Sequence, residues 1–165
     1  SLRPAFRKEN GSITAASSSS ISDGAAAVVL LTAADAKARG LTPLARIVAH
    51  ATHSQEPEWF TTAPVGAIGK VLEKAGWNIA DVDLFEINEA FAVVAMAPMR
   101  ELGIPRDKIN VNGGACALGH PIGASGARLV VTLLNALKTR GLERGIATLC
   151  IGGGEGSAIA VESVD

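Results

Sequence analysis

The chain has 165 residues, enough for one domain with a sizeable core and a squeeze for two. Its 15 Lys/Arg against 16 Asp/Glu give a net charge of −1, aromatics are 4%, and there is no Tyr, so it lacks the cationic face and stacking platforms that a nucleic-acid binder needs. The longest apolar run, Ala25 to Leu31, is too short to span a bilayer, and Cys116 and Cys150 make no disulfide framework.

No secretory signal opens the chain, so the expectation is a soluble, cytoplasmic domain with no nucleic-acid or membrane partner. The opening Ser1-Leu2-Arg3-Pro4 has no initiator Met, as expected of a piece of a longer protein. Residues 1–22 read as an N-terminal segment ending in the serine run Ser17–Ser20, whose simplest reading is a flexible linker. Residues 23–165 read as the domain proper.

After the turn signal Ser22-Asp23-Gly24, the apolar run 24–32 predicts a buried strand. A short helix over 33–39 is stopped by Gly40, and 44–52 predict a second strand. Thr62 as N-cap, Pro64 in the first turn and the stripe Val65, Ile68, Val71, Leu72, Ala75 predict a helix ending at Gly76. A third strand over 83–88 leads into a helix over 89–102, in which Pro98 should kink the axis or begin a new turn. A glycine-dense loop, 110–126, precedes a helix carrying Leu129, Leu133 and Leu137 that stops at Gly141. Strands over 146–151 and 157–161 flank the turn Gly152–Gly156. Strand and helix alternate until this final pair, so the expected class is α/β, with a mainly parallel sheet and one antiparallel strand.

The glycines of 110–126 fit neither a dinucleotide fingerprint nor a phosphate loop, and suit tight turns and close approach of backbone amides. His120 stands in a Gly-His-Pro turn before a helix, whose N-terminal dipole disfavours the protonated ring. A neutral imidazole there suits a general base or hydrogen-bond donor, against the plainer role of a satisfied loop histidine. Cys150 ends a strand and runs into bare backbone at Gly152, so it is either a site thiol or a buried small hydrophobe. At neutral pH such a thiol needs loop amides or His120 to make it a base. Asn88 is either a polar group holding water or a carbonyl oxygen, or a helix N-cap. Cys116 reads better as a loop core position than as a nucleophile. His50, His53, Glu56 and Glu58 resemble a metal cluster only loosely, with no paired CxxC or HExxH, so no metal is expected.

Together, NEAF at 88–91, GGACALGHPIGASGAR at 113–128 and CIGGGEG at 150–156, with the DGAAAVVL and EKAGW segments, resemble the thiolase family, in the C-terminal half of its acetyl-CoA acetyltransferases. The resemblance implies one βαβαβαββ half with a five-stranded, mostly parallel mixed sheet covered by helices. It implies acyl transfer between CoA thioesters, by Claisen condensation of two acetyl-CoA or thiolysis of a 3-ketoacyl-CoA, with coenzyme A thioesters as substrates and no other cofactor. His120 then activates the nucleophilic cysteine and binds the thioester oxygen, and Asn88 positions a water in the same oxyanion hole. Cys150 shuttles the second proton, the Gly152 N–H serves the other oxyanion hole, and Ser19 contacts the pantetheine arm of CoA.

The nucleophilic cysteine belongs to the family's other half. That half is the implied partner, in a homo-oligomeric enzyme, and this chain alone is expected to be inactive. The competing reading is a non-catalytic thiolase-like module that binds acyl-CoA or a protein.

Overall fold

A computed structural model describes residues 2–164. Four strands build one sheet: β1 (Ala45–Ser54), β2 (Leu84–Ile87), β3 (Arg144–Ile151) and β4 (Glu155–Ser163), in the order β1-β4-β3-β2. β2 pairs parallel to β3, and β4 pairs antiparallel to both β3 and β1. Thus β1, β2 and β3 all run one way and only β4 opposes them, as the strand–helix alternation predicted. Because β4 lies between β1 and β3, the antiparallel pairings nevertheless outnumber the parallel one.

The helices are α1 (Ala33–Ala38), α2 (Ala63–Ala75), α3 (Ala92–Leu102), the single turn α4 (Ala115–Leu118) and α5 (Ser125–Arg140). α2 covers one face of the sheet and α3 packs against α2, so that Ile68, Val71, Leu72, Val94 and Ala95 share one buried cluster with Phe85, Ile87, Ile146 and Ala158. α5 covers the other face, where Leu129, Leu133 and Leu137 meet Leu84, Ala147 and Val161. The spacing of four residues along α5 is what keeps those leucines on one side. The Thr62 side chain does not cap α2; its hydroxyl donates to the Trp59 carbonyl instead. Pro98 is buried within α3 without ending it.

Two expectations are corrected here. The sheet has four strands rather than five. Of the five strands read from the sequence, 24–32 is the one that does not form, and beyond β2 there is only a single parallel bridge between Phe85 and Ile109. Past Ile109 the chain turns through Asn110, whose left-handed φ of +47° ends the extended geometry.

 With its backbone turned away, Asn110 continues the pairing through its side chain: Oδ1 accepts from Ile87 N–H and Nδ2 donates to the Ile87 carbonyl, each at 2.8 Å. A side-chain amide therefore stands where a fifth strand's peptide would.

The second correction concerns residues 24–32, which form no strand. This stretch carries neither helix nor strand and stands in the open, with Val29 88% and Leu30 69% exposed. Its apolar run was read as buried, and in this chain nothing buries it.

Candidate active site

The C-terminal end of β2 and the loops beside it bring Asn88, His120 and the serine run together, while Cys150 and Gly152 lie at the C-terminal end of the neighbouring β3. The helix expected from Glu89 starts only at Ala92, with Phe91 as its N-cap, so Asn88 is not the cap. Asn88 is instead fully buried, its N–H donating to the Thr148 carbonyl of β3 at 3.0 Å. Its side-chain Nδ2 lies 3.3 Å from His120 Nε2, while its Oδ1 is buried with no partner. A buried amide oxygen left unpaired is costly, so this one is an acceptor available to a water or a ligand.

His120 is half-buried and its pKa is lowered, as the sequence suggested, but burial is the main cause and the Arg128 cation the second, not the helix dipole. The other ring nitrogen, Nδ1, is 2.6 Å from the hydroxyl of Ser125, the first residue of α5. The imidazole is thus held from both sides.

The serine run is no loose linker. Ser19 N–H and Oγ both donate to the Ala90 carbonyl at 3.1 Å, Ser18 bridges Phe91, and His120 N–H donates to the Ser20 carbonyl at 3.0 Å. This loop ties the NEAF segment to the Gly-His-Pro turn.

Cys150 closes β3, 8% exposed, with its thiol in the core cluster beneath α2 and α3. Burial pushes its pKa up and outweighs the opposing effect of a backbone hydrogen bond, so this chain does not give the net lowering that a thiol base needs. Gly152 follows in the turn between β3 and β4, with no atom within 4 Å of where a Cβ would stand. Cys116, half-buried in α4, donates its N–H to Glu89 Oε2 at 3.1 Å. Burial and the Glu89 carboxylate raise its pKa, which suits a structural thiol.

Sequence reasoning missed several supports. Glu89 accepts from both Asn110 and Cys116, and a Cβ at Gly114 would fall 2.1 Å from its carboxyl carbon, so the glycine there makes room for the brace. Glu86 on β2 is 1% exposed and meets Arg128 of α5 at 3.3 Å through Oε2, with Oε1 unpartnered. Burial pushes its pKa up to about 7 despite the opposing Arg128 charge. The signal was present: a glutamate in the middle of an apolar strand demands a partner. Ser125 had no such signal, because a serine in a glycine-rich loop looks like a turn residue.

Among the described residues, no three His, Cys, Asp or Glu side chains come together as a metal site. His53 instead pairs with Gln55 at 3.1 Å. Among the same residues no helix is long and apolar enough to cross a membrane.

Residues 41–163 match the family model "Thiolase, C-terminal domain", and residues 1–34 match "Thiolase, N-terminal domain". The acetyl-CoA acetyltransferase of Rhizobium meliloti strain 1021 is 56% identical over 161 residues, which is 98% of this chain and 41% of that protein. The crystal structure of the Bacillus anthracis acetyl-CoA acetyltransferase superposes with a TM-score of 0.96 at 50% identity, covering 99% of this chain and 41% of that one. Human mitochondrial 3-ketoacyl-CoA thiolase in complex with CoA gives a TM-score of 0.91 at 38% identity, over 99% of this chain and 41% of that one. The chain therefore spans about two fifths of the length of these relatives. With the fold, the three motifs and both family models in agreement, the chain belongs to the thiolase family.

Proposed function

We propose that this chain supplies the C-terminal half of the active site of an acetyl-CoA acetyltransferase, which transfers acyl groups between CoA thioesters. The observation that carries the reading is the buried Asn88 amide against His120 Nε2, with Asn88 Oδ1 left without a partner. A thioester α-proton is weakly acidic, so its removal needs a close base and donors for the developing enolate oxygen. In this reading His120 takes the proton of a nucleophilic cysteine on the N-terminal half and then donates to the thioester oxygen. Asn88 holds a water beside it, Cys150 removes the acetyl methyl proton, and the Gly152 N–H faces the second oxyanion. Ser19 meets the pantetheine arm.

The raised pKa of Cys150 fits a thiol that begins protonated and gives its proton to the departing CoA thiolate before serving as base. The partner is an N-terminal thiolase half bearing the nucleophile. The exposed run Val28–Leu31 supports this, since it is apolar surface that the chain itself leaves uncovered.

The test is to produce the chain with and without such a half and follow loss of acetoacetyl-CoA absorbance on adding CoA. The chain alone should be inert and the pair should turn over near ordinary enzymatic rates, about 10 s⁻¹. A well-folded pair that binds CoA but never becomes acetylated would favour the non-catalytic module.

A further inference from the structure

We infer that Ser125 is a positioning residue that fixes the tautomer of His120, leaving Nε2 bare and facing Asn88. The functional consequence rests on the thiolase reading above, whereas the tautomer itself does not.

The argument is one of donors and acceptors. Ser125 is 0% exposed, so its hydroxyl has only protein partners to choose from. Its Oγ lies 3.1 Å from the Pro121 carbonyl, which can only accept and which the Ala124 and Ser125 N–H groups also reach, and in the proposed arrangement the single hydroxyl proton goes to that carbonyl. The same oxygen then accepts at 2.6 Å from His120 Nδ1, which in this arrangement carries a proton. In a neutral ring this makes Nε2 the bare nitrogen. On the far side, Asn88 Nδ2 donates to Nε2 at 3.3 Å, which agrees. The opposite tautomer would set Nε2–H against the Asn88 amide donor, or turn that amide round and bury its NH₂ unpaired. The lowered pKa of His120 keeps the ring neutral, the state in which the tautomer matters.

The fold supplies the spacing. Pro121 precedes Ser125 by one helical turn, so the hydroxyl bonds back to the i−4 carbonyl while remaining beside the ring of residue 120. A bare Nε2 can accept a proton from a thiol, and a ring held at Nδ1 keeps that nitrogen aimed as it does so.

Nitrogen NMR of the histidine-labelled 165-residue chain reads the tautomer directly. The expected result is a protonated Nδ1 and an unprotonated Nε2 for His120, identified by its loss in His120→Ala. Ser125→Ala, which keeps a good helix former at the start of α5, should populate both tautomers and lower the His120 pKa further, since the imidazolium loses an acceptor. Ser125→Thr retains the hydroxyl and should restore the parent pattern. A protonated Nε2 in the parent overturns the inference whatever the variants do. So does a Ser125→Ala chain, folded by circular dichroism, whose His120 signals are unchanged. In the chain paired with an N-terminal half, Ser125→Ala should slow cysteine acetylation about 10- to 100-fold, the range seen when groups orienting a functional imidazole are removed, with KM little changed. If the parent pair shows no acyl transfer, the thiolase reading fails while the NMR result still decides the tautomer.

Discussion

Glu86 is a carboxyl group that the fold holds at a cost, and pH should reveal it. Its folded-state pKa of about 7 lies above the ordinary 4.5, so the folded chain keeps a proton that the unfolded chain releases. Its contribution to stability is therefore present below about pH 4.5 and lost as pH rises through about 7. His120 acts in the other sense: its lowered pKa contributes above the ordinary 6.5 and is lost as pH falls. Urea denaturation of the parent and of Glu86→Gln across this window separates the two, because only the parent should lose stability through Glu86 as pH rises. Each unit of pKa difference is worth about 1.4 kcal/mol, an easily measured slope. Parallel curves would mean that Arg128 keeps Glu86 ionised throughout. Cys150 and His120 should separate by step in the reconstituted pair. Cys150→Ala should still accept a covalent acetyl group, while deuterium exchange into the acetyl methyl falls ~10²–10⁴-fold. His120→Ala should slow acetylation itself, and mass detection distinguishes the two.

At the scale of elements, periodicity was a good guide wherever burial comes from within the chain. The leucines of α5 and the apolar stripe of α2 are legible because each packs on the sheet. The run 24–32 misled for the same physical reason: an apolar stretch reports that it is to be buried, not by what. Ile109 was invisible because a single bridge has no period, and the substitution of the Asn110 side chain for a strand edge cannot be read from spacing. The site was legible as three motifs, yet the contacts joining them were not, since the serine loop, Ser125 and Glu89 are remote in sequence from what they hold. The turn between β3 and β4 offers a test of this layer. Gly154 has φ +97°, and a Cβ there would fall 2.3 Å from the Gln55 carbonyl oxygen. Gly154→Ala should cost on the order of 2–3 kcal/mol and lower the urea midpoint. Gly152→Ala meets open space and should stay within about 0.5 kcal/mol of the parent.

For the molecule as a whole, one group of exposed hydrophobics stands out from those spread along the chain. Val28 to Leu31 are contiguous, and Ile122 stands 76% exposed in the loop after His120. Uncovered apolar surface of this kind favours association, so the chain alone should self-associate and bind a hydrophobic dye. Supplying the N-terminal half should abolish both. Sedimentation of the isolated chain as a strict monomer at high concentration, without dye binding, would count against a hidden seam there.

The serine loop also bears on where such a protein can be divided. The N-terminal family model reaches residue 34, so by ancestry Ser17–Ser20 go with the first half. By hydrogen bonding they go with the second, because Ala90 and His120 are their partners. A cut drawn at the family boundary would leave the His120 backbone N–H without the carbonyl that fixes it. A cut before residue 17 keeps the Gly-His-Pro turn intact but carries the uncovered run 24–32 with it. Neither cut leaves this half both covered and complete around His120, so the serine loop belongs to one domain by descent and to the other by contact.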